Sequence, residues 1–231
     1  MKHTCASFSG TRGSGKTASA RALVRKRGIR RIIVVTPFHD EWPELGRNVM
    51  VCTTREEFDA ACEWASGGPG RFAIVWTPPH ARAPMAVGIA AEWAMHLGDC
   101  TLIVDEAHDS CNNRVCSDEI LTCVKQGRHY NVGVWCISQR PSDVHASLRA
   151  ELHASEAYYC RLVEHRDLDV LRGRRGDKFA RRVSRLRDLQ VLRLDPSREH
   201  PLALQVQFDA AGNPRLIRDP DSRLLADLTK E

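Results

Sequence analysis

Residues 10 to 17 read GTRGSGKT, and no other stretch of this chain restricts its fold as tightly. The spacing G-x-x-x-x-G-K-T is met by Gly10, Gly15, Lys16 and Thr17. Glycines let a backbone curl until several amide hydrogens converge on one point. An extended run (HTCASFS) precedes the loop and a helix-like run (KTASARALVRK) follows it. A helix that starts there aims the positive end of its dipole at the same point. The expected occupant is a run of phosphates, so Gly10, Thr11, Arg12, Gly13, Ser14, Gly15, Lys16 and Thr17 are the candidate nucleotide-binding residues. Lys16 would reach the β- and γ-phosphates, and Thr17 would hold Mg²⁺ through its hydroxyl. A Gly/Ser turn that matches by chance is the plainer reading, and the flanking strand and helix weigh against it.

The rest of the chain suits a loop of that kind. Apolar runs at 4–9, 31–36, 48–52, 71–76, 101–105, 133–138 and 157–162 alternate with helix-like segments at 15–26, 55–65, 84–97, 118–126 and 142–152. Runs such as IIVV and LIVD are continuously apolar rather than alternating, as in strands buried on both faces of a mainly parallel sheet. The order predicts an α/β fold with helices flanking that sheet. Beyond residue 164 two more helices are expected at 164–173 and 177–189. Strand-like pieces then fall at 190–194, 203–208 and 215–217, with the turn DAAGNP between the last two. Polar residues close the chain and are expected to fray.

Composition excludes little. No apolar run approaches the roughly 18–20 residues a bilayer-spanning helix needs, and the first ten residues lack the apolar core of a secretion signal. No integral membrane segment and a cytoplasmic location are expected. Nine cysteines in such a compartment read as small buried side chains. Cys116 and Cys123 stand seven apart, which predicts one helix face, and no C-x-x-C spacing suggests zinc. The net charge of +5 is weak testimony for a nucleic-acid partner by itself.

Two further stretches bear on chemistry. In TLIVDEAHD an apolar run ends in adjacent carboxylates, Asp105 and Glu106. Asp105 is placed to hold Mg²⁺, often through water, and Glu106 to activate an attacking water. Without the phosphate loop the pair would read as a solvated acidic turn. The second carboxylate favours hydrolysis over transfer, because a kinase must exclude an activated water. DEAH is also the signature of DEAH-box helicases, but those need a second motor domain and 231 residues hold one. His108 is therefore expected at a helix entry or on the surface. In GRHYNVGVWCISQRP another buried run ends at Gln139, where a polar tip can sense the γ-phosphate.

Taken together, GTRGSGKT, LIVDEAH and RHYNVGVWCISQRP resemble the FtsK–HerA superfamily of DNA-translocating ATPases. The short form resembles the genome-packaging ATPases of membrane-containing viruses. The resemblance covers roughly residues 1–194. It implies a P-loop NTPase fold of RecA-like (ASCE) type with Walker A and Walker B motifs, ATP and Mg²⁺ as cofactors, and double-stranded DNA as partner. It implies a homo-oligomeric ring, hexameric or pentameric, in which an arginine completes the neighbouring site. By position Arg128 is that trans finger, ahead of Arg149 and Arg161, while Arg140 meets nucleotide or a subunit boundary. Lys16, Glu106, Gln139 and Arg128 are then the catalytic set. Residues 1–195 are expected to form the ATPase domain and 196–231 a strand-rich extension and tail of the same unit. A capsid vertex or portal protein is the implied further partner, with the protein in the host cytoplasm or associated with the virion.

The nucleic-acid contacts stay open at this stage. LRGRRGDKFARRVSRLRDL is the densest basic stretch, and Lys178, Arg181, Arg182 and Arg185 share one helical face while Phe179, Val183 and Leu186 share another. That face reads either as a DNA-tracking surface or as a solvated or intersubunit one. A second cluster gathers Arg21, Arg25, Lys26, Arg27, Arg30 and Arg31, and Arg12 and the loop at 78–84 are further channel candidates. Aromatics make up only 6% of the chain and do not interleave with the arginines, which argues against a base-stacking platform for single strands. Two other readings compete with packaging. One is the filamentous-phage assembly ATPase family that resembles zonula occludens toxin. The other is a nucleotide switch or small-molecule kinase that touches no DNA.

Overall fold

The computed structural model describes residues 4–42, 48–68, 70–80, 83–198 and 200–219. One ten-stranded sheet runs through it in the order β10-β9-β8-β7-β1-β6-β5-β2-β4-β3. The strands are β1 (Ala6–Ser9), β2 (Arg31–Val35), β3 (Val49–Cys52), β4 (Phe72–Trp76), β5 (Thr101–Val104), β6 (Gly133–Ser138), β7 (Glu156–Tyr159), β8 (Gln190–Leu194), β9 (Leu202–Phe208) and β10 (Pro214–Arg218). The helices are α1 (Lys16–Arg27), α2 (Arg55–Ser66), α3 (Ala83–Leu97), α4 (Ala107–Ser110), α5 (Asp118–Gln126), α6 (Ala146–His153) and α7 (His165–Ser184). From β3 across to β7 every pairing is parallel. From β7 outward β8, β9 and β10 pair antiparallel. The fold is thus mixed and mainly parallel, as the continuous apolar runs predict.

Each central strand is buried on both faces because its side chains alternate between two helical layers. On one face Ile33, Ile74, Leu102, Val104 and Val134 meet the layer built from α2, α3, α5 and α6. On the other, Phe8, Ile32, Val34, Ile103, Trp135 and Ile137 meet α1. The Phe8 ring stacks on Tyr158 of β7 at 4.7 Å between centroids and lies 5.5 Å from Trp135 of β6, so one side chain ties three adjacent strands. The C-terminal strands do not stand apart. They widen the same sheet, and Val191, Leu204, Val206 and Leu216 continue the core under α1.

Several sequence expectations need correcting. The helix expected at 142–152 begins at Ala146. Arg149 Nη1 donates to the carbonyls of Pro141, Ser142 and Val144, which holds those residues in a turn instead. Cys116 lies before α5, whose N-cap is Ser117, so Cys116 and Cys123 do not share a helix face. The helix expected at 177–189 stops at Ser184 and Arg185 is its C-cap, so Arg185 closes the helix that carries Lys178 and Arg181 instead of lying within it. Gly176 breaks α7 with φ 81 and ψ 166, close to the boundary expected between two helices. The apolar side of α7 is as expected at Phe179 and Val183, which share a core cluster with Tyr159 and Leu192, and Leu186, just past the helix end, is buried in the same cluster. The fraying expected for the last residues, and positions 81–82 of the loop at 78–84, lie outside the described residues.

Gly133, the first residue of β6, has no room for a side chain: a Cβ there would meet the Thr4 carbonyl oxygen at 2.6 Å and the Thr4 amide at 3.0 Å. Gly173, within α7, faces open space. Gly133→Ala is expected to lower unfolding free energy by about 1–3 kcal/mol through overpacking against backbone. Gly173→Ala is expected to raise it by about 0.5–1 kcal/mol through helix propensity. Urea denaturation of both variants checks the pair, and equal effects would contradict the packing described.

Candidate functional site

The candidate site lies where the parallel strands end. The loop from Gly10 to Gly15 leaves β1 and is pinned on both sides. Gly10 N donates to Ser138 O of β6 at 3.3 Å, and Thr11 N donates to Arg161 O, beyond β7, at 2.8 Å. Within the loop Ser14 Oγ donates to Thr11 O at 2.7 Å. Gly13 and Gly15 hold φ of 74 and 100, which a residue with a Cβ adopts only with strain. A Cβ on Gly10 would fall 2.6 Å from Cys160 Cβ. The glycines of the motif are therefore required by curvature and by close packing respectively.

At Lys16 the loop becomes α1, whose N-cap Gly15 supplies no side-chain hydrogen bond and whose first turn holds no acidic residue. The first amides of a helix need an acceptor, and an uncapped start favours an anion. Lys16 is 6% exposed, and its Nζ donates to Thr11 O at 3.1 Å. Burial pulls its ammonium below the ordinary lysine range, while Glu106 and Asp105 oppose the shift. A cleft of 620 Å³ opens over the loop, lined by Arg12, Gly13, Gly15, Lys16, Thr17, Glu106 and Gln139 among others.

Across the cleft, β5 ends at Asp105 and Glu106. β6 lies between β5 and β1, so the carboxylates stand two strand spacings from the phosphate loop, about 10 Å. Glu106 occupies the left-handed region at φ 49 and ψ 48. A non-glycine residue there carries on the order of 1–3 kcal/mol of strain and persists only where its surroundings hold it. The partners that hold it are visible. Glu106 N donates to Asp105 Oδ1 at 3.0 Å, and Gln139 Nε2 donates a short hydrogen bond to Glu106 Oε1. Glu106 Oε2 is buried with no hydrogen-bond partner. His108 Nδ1 stands 3.4 Å from it without hydrogen-bond alignment and is itself buried and unpartnered. His108 enters α4 as expected, but its side chain packs beside the carboxylate rather than on the surface.

Asp105 is 5% exposed and opens on a smaller pocket that it shares with Glu106, Thr36 and His80. Its Oδ2 accepts from Trp42 Nε1 at 3.1 Å and from Thr36 Oγ1 at 3.4 Å. Burial raises its carboxyl to about 7, against the lowering by the Trp42 hydrogen bond and with a further push from Glu106. The oxygen set of Thr17 and Asp105 suits a hard divalent cation that retains water. A carboxylate held so high by burial is also a group whose charge a cation would restore.

No local sequence pattern marks Trp42 or Thr36 as site residues. Trp42 is fully buried 63 residues from its carboxylate partner, in a stretch without periodicity, and only its being an isolated Trp after a strand could have marked it. Leu189 was also missed: its N donates to Ser14 O at 3.1 Å, making it part of the loop's support.

The remaining candidates are spread over the surface. Arg128 sits in the 3-10 turn Gly127–Tyr130 just before β6. The length of β6, six residues or about 20 Å, separates it from Gln139 at the other end. Arg149 is held by three carbonyls of its own chain, and Arg161 pairs with Asp188 at 2.9 Å. Arg140 is exposed beside Gln139. On α7 Lys178 and Arg181 are exposed and Arg182 partly so, with Arg181 paired to Asp177 at 2.5 Å, and the C-cap Arg185 is exposed as well. In the second cluster Arg27 bonds Thr4 Oγ1 at 2.7 Å and pairs with Glu156, while Arg31 lies over the Phe72 ring at 4.9 Å. Among the described residues no helix is long and apolar enough to cross a membrane.

No protein-family model matches the sequence, and no curated protein does. Solved structures do. The genome packaging NTPase B204 of Sulfolobus turreted icosahedral virus 2, in complex with AMP, matches with a TM-score of 0.67 at 14% identity, over 88% of this chain and 97% of that one. VirB4 of Thermoanaerobacter pseudethanolicus matches with a TM-score of 0.60 at 11% identity, over 90% of each chain. The pCW3 conjugation coupling protein TcpA matches with a TM-score of 0.56 at 12% identity, over 88% of this chain and 60% of that one. The fold is that of these P-loop ATPases.

Asp105 gives a pH test. Its ordinary value is 3.8 and its folded value about 7. Between the two the folded state keeps a proton that the unfolded state has lost, so this group's contribution to stability falls as pH rises through that window. In ligand-free protein, the Tm of the wild type relative to Asp105→Asn is expected to fall from about pH 5 to about pH 8. A difference that stays constant across that range would contradict the buried, protonated carboxyl.

Proposed function

We propose that this protein hydrolyses ATP with Mg²⁺ and uses the energy to translocate double-stranded DNA, in the packaging of a viral genome. The observation that carries hydrolysis is Glu106, which lines the same cleft as Lys16, is held by Gln139 at Oε1 and keeps Oε2 without a hydrogen-bond partner. A lone acceptor of that kind is suited to a water. Gln139 fixes the carboxylate by its hydrogen bond to Oε1, and Glu106 accepts a proton as the water oxygen bonds to the γ-phosphorus. The bond to the β–γ bridging oxygen breaks and ADP leaves. Lys16 and the amides at the start of α1 hold phosphate charge. Thr17 and Asp105 would hold Mg²⁺, which supplies further neutralisation of that charge.

Translocation rests on the likeness in fold to B204, named a genome packaging NTPase, and on the placement of Arg128. That arginine lies at the far end of β6 from its own loop, so it serves catalysis only in a neighbouring subunit. A ring of copies with DNA in its channel is the assembly this reading requires. The exposed cations Lys178 and Arg181 of α7 and Arg185 at its C-cap, with Arg182 beside them, are the proposed backbone-tracking surface. Arg12 is a further candidate on the loop. Residues 1–195 act as the motor domain, with 196–219 completing its sheet.

Lys16→Ala is expected to abolish ATP hydrolysis, and Glu106→Gln to retain ATPγS binding while losing turnover; full turnover in either variant would sink the assigned chemistry. Arg128→Ala is expected to lose about 10³-fold or more in rate. Mixing it with Lys16→Ala subunits, which carry an intact arginine, is expected to restore part of that loss, and no restoration counts against action in trans. Duplex DNA is expected to raise the wild-type rate in a salt-dependent way, and a rate indifferent to DNA at every salt concentration overturns the translocase reading.

A further inference from the structure

The cleft over the phosphate loop has an apolar wall that hydrolysis does not use. Leu189 immediately precedes β8, and Phe208 is the last residue of β9. β8 runs antiparallel to β7, and β9 antiparallel to β8. The start of β8 and the end of β9 therefore lie at the same edge of the sheet as the phosphate loop. Both residues line the cleft, and Phe208 is 51% exposed there.

The polarity of a bound nucleotide follows from strand order. β1, which carries the loop, has β6 and β5 on one side and β7, β8 and β9 on the other. Gln139 and Glu106 end the first set, so the terminal phosphate belongs on that side. A triphosphate laid across the loop then carries its nucleoside toward Leu189 and Phe208. The cleft's other exposed aromatic, Phe38, belongs to the opposite wall: its amide donates to Thr36 Oγ1 at 3.1 Å, and that hydroxyl bonds Asp105.

A second observation marks the same wall. Leu189 has φ 67, a left-handed conformation that leucine rarely adopts. It is held from both sides: its N donates to Ser14 O at 3.1 Å, and its O accepts from Val206 N at 2.8 Å. Its Cδ2 comes within 3.0 Å of where a Cβ on Gly15 would stand. The side chain is thus pressed against the root of the phosphate loop. Strain in a residue so firmly held is a recurrent mark of a ligand site.

We propose that Leu189 and Phe208 form the base platform of the nucleotide site, with the Phe208 ring stacking on the base and Leu189 closing its edge. This rests on the reading of the cleft as a nucleotide site. Stacking needs only a π-face, which every base carries, so this platform favours a nucleoside triphosphate over a bare polyphosphate and does not by itself tell adenine from guanine.

The test compares a ligand that has a base with one that lacks it. Dissociation constants for ATPγS and for inorganic tripolyphosphate, each with Mg²⁺, are measured by calorimetry on wild type, Phe208→Ala and Phe208→Trp. Phe208→Ala is expected to weaken ATPγS by about 5- to 100-fold and to leave tripolyphosphate unchanged. Phe208→Trp is expected to keep ATPγS affinity and to show fluorescence quenching when it binds. Unchanged ATPγS affinity in Phe208→Ala overturns the platform, as does an equal loss for both ligands. Wild type that binds neither ligand overturns the nucleotide site itself.

Discussion

The site depends on a single strand insertion. β6 separates β1 from β5, and so separates the phosphate loop from the carboxylate pair by two strand spacings. Adjacent strands would bring Lys16 and Glu106 into direct contact and leave no room for the phosphoryl group and water that the proposed hydrolysis requires. A wider gap would leave neither side able to act on one phosphorus atom. Because β6 fills the gap, its own tip comes to lie between the two partners, and Gln139 bonds Glu106 from there. The loop's attachments depend on the same order: Gly10 bonds the end of β6, and Thr11 bonds the segment after β7.

The local electrostatics are poorly satisfied by the protein alone. Lys16 is buried and its ammonium is disfavoured by desolvation. Asp105 is buried and its carboxyl is pushed to about 7. Glu106 is strained at φ 49 and keeps one oxygen unpartnered. These are costs of folding, and the wide hydrophobic layers on both sheet faces offset them. Their common remedy is a ligand that brings negative charge to the loop and positive charge to the carboxylate. The charges at the site are arranged for a complex more than for the free protein.

Much of this architecture is legible in the sequence because its signals are local. Continuous apolar runs such as IIVV and LIVD mark strands covered on both faces, and β2 and β5 lie where those runs do. The loop motif needs only its own glycines, and the turn DAAGNP announces the hairpin of β9 and β10. What escaped depends on contacts distant in sequence. Trp42 reaches Asp105 by tertiary packing alone. Arg149 delays the start of α6 by binding carbonyls five to eight residues before it. Nothing about a leucine announces a left-handed backbone, and Leu189 is held in one by Ser14 and Val206, neither of them near it in sequence. The basic stretch keeps helical spacing past Ser184, yet the helix stops there.

The peptide at Leu189 has a mechanical consequence. One of its neighbours in hydrogen bonding is the phosphate loop, at Ser14, and the other is β9, at Val206. β9 is zipped to β10 over five residue pairs, and α1, which grows from the loop, packs along β10. The outer strands and the loop therefore form a closed linkage of stiff members, with Leu189 as its shortest strut. A force applied at the β9–β10 edge of the sheet reaches the root of the loop along α1 and, over a shorter path, through Leu189, and a displacement of the loop travels outward along the same two members.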